Sequence, residues 1–142
     1  MTIPQWTLLG FAVWTLLVLL GTVGTYRWSR ILTRRAEISE WQADVPQGTD
    51  WYRRAMRAHM NCVENLPVFA AIVLCASFAE AEDHLVDWLA GGVLLARICQ
   101  TTIHVSFAPS NPAASLRFFF FFVQVIFMIG IAVRTSIAAW PI

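Results

Sequence analysis

Three arginines and the polar residues spaced around them carry the chemistry open to this sequence. Arg57, Asn61 and Glu64 stand at i, i+4 and i+7. At about 100° per residue they fall within about 60° of one helix face. That face offers a cation, an amide and a carboxylate, a set suited to a zwitterion with carboxylates and an amine. His59 points elsewhere. Arg97, Gln100, Thr101 and His104 stand at i, i+3, i+4 and i+7 and make a second polar face. Arg117 opens the last apolar stretch. Each group also has a purely structural reading. Arg57 and Glu64 can pair across helices, Arg97 can pair with Glu64, and His104 can be a hydrogen-bonded packing residue. Arg117 can keep its head at a membrane interface, as Arg134 does at the far end.

Other chemistries lack their residues. His59, His84 and His104 have neither HxxxH nor HExxH spacing, so no metal site is expected. There is no GxSxG and no Walker loop. Cys62, Cys75 and Cys99 are odd in number, far apart and set in apolar sequence. They read as small buried hydrophobes. The run Phe118–Phe122 covers all sides of its helix and reads as lipid contact and packing.

The elements that must position these groups follow from composition. The chain has 142 residues, 58% hydrophobic and only 13% charged, with a net charge of +1. A soluble domain carries about 25% charged residues. Too little polar surface is available for a soluble enzyme, a coiled coil or a disordered chain, and no field recruits nucleic acid. The chain therefore reads as one all-α membrane domain, an antiparallel four-helix bundle. Spans are expected at about 3–26, 51–79, 85–107 and 114–139. Pro46, Gly48 and Thr49 end the first connection, and Pro109 to Pro112 break the chain before the fourth span. All ten basic residues are arginine, and Arg27, Arg30, Arg34, Arg35, Arg53 and Arg54 cluster around the first connection. The positive-inside rule puts loop 27–50 in the cytoplasm and both termini outside. Trp6, Trp28, Trp51, Trp88 and Trp140 mark span ends, as interfacial tryptophans do.

The segment from Arg54 to Pro67 resembles the signature of the MAPEG family, the membrane-associated proteins in eicosanoid and glutathione metabolism. Its pattern is roughly R-A-[HQ]-x-N-x-x-E-[NY]-x-P, met here by Arg57, Ala58, His59, Asn61, Glu64, Asn65 and Pro67. Ala96-Arg97 resembles the family's third-helix arginine, and Leu116-Arg117 its fourth-helix start. The resemblance implies a homotrimer that binds glutathione between subunits, towards the cytoplasmic side. On that pattern Arg57, Asn61, Glu64 and Arg97 hold the tripeptide. A neighbouring subunit's first-helix arginine helps, with Arg27, Arg30 and Arg34 all in place and Arg30 carried as the candidate. Where the family often has tyrosines, or a His and a Tyr, this sequence has Gln100 and His104. The residue after Arg117 is Phe118, with no hydroxyl.

The chemistry agrees with that resemblance. Glutathione carries two carboxylates and one ammonium, which suit Arg and Glu64 respectively. A guanidinium beside its thiol favours the nucleophilic thiolate, and Arg117 is the candidate for this catalytic role. The expected function is a glutathione-dependent transferase or peroxidase acting on lipophilic electrophiles, in an integral membrane that is the inner one in a bacterium. The alternative is a non-catalytic member of the same fold that binds lipid or a partner.

Overall fold

The computed structural model describes residues 1–41, 48–81 and 83–140. Asp44 and Pro46 of the first connection, and Glu82 of the second, lie outside the described residues. Helix α1 runs over Ile3–Leu32, α2 over Asp50–Phe78, α3 over His84–Ser106 and α4 over Asn111–Ala138. A short 3-10 turn, Ile38–Glu40, lies between α1 and α2. The protein is all-helical among the described residues, as the composition and periodicity predict.

Helix starts follow side-chain chemistry. Thr49 Oγ1 accepts the Tyr52 amide, Asp83 Oδ1 the Val86 amide and Ser110 Oγ the Ala113 amide. Each satisfies one of the donors a helix N-terminus leaves free. Two boundaries differ from expectation. Pro112 does not break the chain: it sits in the first turn of α4, where a missing N–H is tolerated. Helix α1 does not stop at Tyr26 but continues to Leu32, after a π-helical stretch over Leu19–Gly24. Its last two turns carry Arg27 and Arg30, so these belong to a helix and not to a loop.

Side-chain bonds between helix ends fix the antiparallel order. Gln5 Nε2 donates to Ser77 Oγ (3.1 Å), joining the start of α1 to the end of α2. Arg27 Nε donates to the Tyr52 hydroxyl, joining the end of α1 to the start of α2. Arg134 donates to Asp83 Oδ2 from both Nε and Nη2 (2.8 Å each), joining the end of α4 to the cap of α3. Arg134, expected at the membrane interface, is thus held in an ion pair, two of its nitrogens sharing one carboxylate oxygen.

Helix α3 touches all three other helices, and its pairing with α4 is the closest in the bundle. Gly92 allows that approach: a Cβ there would run into the Phe127 ring. The core joins Phe11, Cys62, Phe69, Val73, Val86, Val93, Met128 and Ile131, with one or more from each helix. Outside it the surface is apolar: Leu16, Leu20, Phe78, Leu95, Phe119 and Ile137 are all more than half exposed. Exposed apolar surface on that scale belongs in a bilayer. Helices α1, α2 and α4 are long and apolar enough to cross one. Helix α3 is not among them, because Arg97, Gln100, Thr101 and His104 lower its hydropathy; all four are buried. The protein is an integral membrane helical bundle.

The cysteines divide. Cys62 is buried, as expected, but Cys75 is exposed and Cys99 half-buried, since they fall on the outer faces of α2 and α3.

Candidate functional site

Eight of the arginines gather at one end of the bundle, where α1 and α3 finish and α2 and α4 begin: Arg27, Arg30, Arg34, Arg35, Arg53, Arg54, Arg57 and Arg117. An aromatic clasp closes that end. Tyr26 stacks on Tyr52 (4.4 Å between centroids), and Trp41 meets both rings edge-on. The Arg27 guanidinium lies over Trp41 (5.4 Å) and Tyr52 (5.8 Å), and Arg30 over Tyr26 (5.6 Å). Gly48, at φ 81°, brings the chain in tightly: a Cβ there would stand 2.6 Å from the Tyr52 ring. The clasp holds the first turn of α2, from which the polar face of that helix starts.

Below it lies a cavity of about 480 Å³ between α2, α3 and α4. That size suits a ligand of a few hundred Å³. Arg57, Asn61, Glu64 and Asn65 line it from α2, Gln100 and His104 from α3, and Arg117, Phe118 and Phe121 from α4. Six of the sequence candidates therefore meet: Arg57, Asn61, Glu64, Gln100, His104 and Arg117. Arg57, Arg117 and Arg54 all stand close enough to His104 to act on it electrostatically. The cavity is a cationic one, with the Glu64 carboxylate in its wall.

The wall is braced by amides. Asn65 Nδ2 donates to the Asn61 carbonyl (2.8 Å), and the fully buried Gln124 donates from Nε2 to Asn65 Oδ1 (3.4 Å). Gln100 is different. It is buried, it lines the cavity, and its Oε1 has no hydrogen-bond partner. A buried acceptor left unmet costs about 1–3 kcal/mol, so an N–H donor in the cavity would satisfy a standing deficit.

Two candidates stand elsewhere. Arg97 is only 1% exposed and lies over the Phe11 ring (5.5 Å to the centroid). It does not line the cavity, and no ion pair within 4 Å joins it to Glu64 among the described residues, so the expected structural pairing is absent. Glu64 and Cys62 still act on it electrostatically, and Cys62 Sγ is 3.4 Å from Thr101 Oγ1. Arg30 sits on Tyr26 in the clasp, away from the cavity of its own chain.

The sequence reading left out Asn65, Phe118 and Phe121 as lining residues. Their spacing carried a signal. Asn65 follows Asn61 by four residues, and Phe121 follows Arg117 by four, so each continues a face already marked. The phenylalanine run is thus not only lipid contact: two of its members face the cavity.

A family model described as the MAPEG family matches residues 5–137. No curated protein and no solved structure matches the chain. A match over nearly the whole chain, on a four-helix membrane bundle whose signature residues on α2 line one cavity, settles the assignment: the chain belongs to the MAPEG family, membrane proteins generally associated with glutathione.

Proposed function

We propose that the protein is a glutathione-dependent transferase or peroxidase acting on lipophilic electrophiles, and that the cavity between α2, α3 and α4 takes the tripeptide. One observation carries this reading. Arg57, Arg117, Glu64, Asn61 and the unsatisfied Gln100 Oε1 all face one space. Glutathione offers two carboxylates for the guanidiniums, an ammonium for Glu64, and amide N–H groups for Gln100 and Asn61. His104 and Asn65 complete the polar lining. Arg97 acts from behind the wall through its charge, and Arg30 serves a neighbouring copy in a homotrimer.

The chemistry asked of Arg117 is electrostatic. A guanidinium beside the bound thiol lowers the free energy of the thiolate relative to the thiol, and the thiolate is the nucleophile. The thiol proton leaves to water. With an electrophile bearing a leaving group, sulfur forms the bond to carbon and the leaving group departs with its bonding pair. With a peroxide, sulfur attacks one oxygen, the O–O bond breaks, and the alkoxide leaves, taking a proton from water to become the alcohol. A second glutathione thiolate then attacks the sulfenic sulfur, and the hydroxyl departs as water, leaving the disulfide. The lipophilic substrate arrives from the bilayer, with the Arg-rich end of the bundle in the cytoplasm and both termini outside.

Calorimetric titration of the detergent-purified protein with glutathione tests this. Saturable binding is expected, weakened by about 10–100-fold in Arg57→Ala. Turnover of 1-chloro-2,4-dinitrobenzene is expected with glutathione and abolished in Arg117→Ala. No heat of binding would overturn the reading.

A further inference from the structure

We propose that Phe118 and Phe121 form the acceptor platform of the cavity and select planar aromatic electrophiles over flexible aliphatic ones. This inference rests on the glutathione reading of the same cavity and adds the class of the second substrate.

The lining is divided by chemistry. Among the described residues, α2 and α3 contribute polar side chains to the lining, and the two phenylalanines on α4 are its apolar members. Both are tied to Arg117 by spacing. Phe118 is the next residue, and Phe121 lies one turn further along the same face of α4. A thiolate held at Arg117 therefore has these two rings beside it on its own chain. Phe121 is braced: Phe122 lies edge-on to it, with centroids 6.0 Å apart and planes at 68°. Phe118, Phe119 and Phe122 are 62%, 58% and 58% exposed on the outside of α4. The platform is thus continuous with an aromatic surface that faces the bilayer, and a lipophilic substrate can reach the cavity along it.

Aromatic rings recognise a flat ring better than a chain. Offset stacking and edge contacts reward a planar partner beyond the area it buries, whereas an alkyl chain gains only area and loses rotamer freedom. An electron-poor arene stacks best, and it is also the arene that accepts a thiolate: carbon–sulfur bond formation is followed by loss of halide with its bonding pair.

The test compares two electrophiles, 1-chloro-2,4-dinitrobenzene and the aliphatic trans-2-nonenal, in wild type, Phe118→Leu and Phe121→Leu. Leucine keeps the wall apolar and removes the ring. In Phe121→Leu, kcat/KM for the arene should fall by about tenfold more than that for the enal. Phe118→Leu should act in the same direction. Equal losses for both electrophiles, or none, would overturn the inference. A second measurement needs no variant to fold: calorimetric affinities of the wild type for S-(2,4-dinitrophenyl)glutathione and S-hexylglutathione. The aryl conjugate should bind more tightly by about tenfold. Equal affinities, or a preference for the hexyl conjugate, overturn the platform and leave glutathione binding intact. Failure to bind either conjugate or glutathione itself overturns the glutathione reading, and the platform with it.

Discussion

Gln100 illustrates how a single side chain links stability to binding. Its carbonyl oxygen is buried in the cavity wall without a partner, a deficit that an N–H donor of the proposed ligand would relieve. Gln100→Leu should therefore raise the melting temperature of the ligand-free protein in detergent, by about 1 kcal/mol in stability, while weakening glutathione binding by about tenfold in calorimetry. A variant that loses stability and affinity together would mark Gln100 as a packing residue. Arg57 and Arg117 should separate kinetically. Arg57→Ala removes a carboxylate partner and should raise KM for glutathione by about 10–100-fold, the worth of a charge-assisted hydrogen bond. Arg117→Ala should lower kcat and abolish the thiolate absorbance near 240 nm that bound glutathione would give. At this scale the sequence was informative wherever polar residues repeat at three and four along an apolar helix, as from Arg57 to Glu64 and from Arg97 to His104. It was silent on which member of a face reaches the cavity. Arg97 and Gln100 share a helical face within one turn, yet one lies on Phe11 in the core and the other lines the cavity. Only the packing of α1 against α3 decides that.

At the scale of elements, the second connection carries two testable features. Helix α2 ends in a left-handed residue: Glu80 has φ 50°, the Ala81 amide returns to the Ala76 carbonyl, and the Glu80 amide to that of Ser77. A Cβ in that conformation costs about 1–2 kcal/mol, which glycine avoids. Glu80→Gly should raise the melting temperature by the equivalent of about 1 kcal/mol. Asp83 then caps α3 and pairs with Arg134. The hydrogen bond from the Val86 amide, and after it the Arg134 guanidinium, hold its carboxyl below the usual carboxylate range. A carboxylate with a depressed folded value stabilises the protein above its unfolded value of about 3.9, and the contribution fades as pH falls through the lower folded value. Melting temperatures in detergent should therefore separate wild type from Asp83→Asn near neutral pH and converge as the pH falls below about 4. Asp83→Ala should be worse than Asp83→Asn near neutral pH, since asparagine can still cap. The helices themselves were legible from the apolar runs, whereas the capping roles of Thr49, Asp83 and Ser110 emerged only with the structure. The extension of α1 past Tyr26 was not. Four arginines between residues 27 and 35 look like a loop until Tyr52 and Trp41 supply the hydroxyl and rings that hold Arg27 on a helix.

At the scale of the molecule, charge and exposure point to more than one chain. Eight arginines at one end and the paired Arg134 at the other predict an Arg-rich end in the cytoplasm. With Cys62, Cys75 and Cys99 replaced by alanine, Arg35→Cys should then resist a membrane-impermeant maleimide in intact cells, and Thr2→Cys should react. Labelling of Arg35→Cys alone would invert the topology. The same exposure bears on assembly. Arg57 and Glu64 are exposed on the single chain, yet they lie on a helix long and apolar enough to cross a membrane. A charged side chain at the centre of a bilayer costs about 2.5–3.5 kcal/mol on insertion scales, and such residues face protein or water-filled cavities. In the proposed homotrimer the open side of the cavity would be closed by a neighbouring copy of this same chain, without any further component. Arg30, on the end of α1 and remote from its own cavity, is available to a neighbour's. Native mass spectrometry from mild detergent should give a species of three 16.0 kDa chains. In trimers mixed from Arg30→Ala and Arg57→Ala chains, some cavities should pair an intact Arg57 with an intact Arg30 from the neighbour. Those mixtures should bind glutathione where neither variant alone binds it fully. A monomer that binds glutathione with full affinity would show that the cavity is complete in one chain, and would leave Arg57 and Glu64 to be shielded by water at the membrane surface.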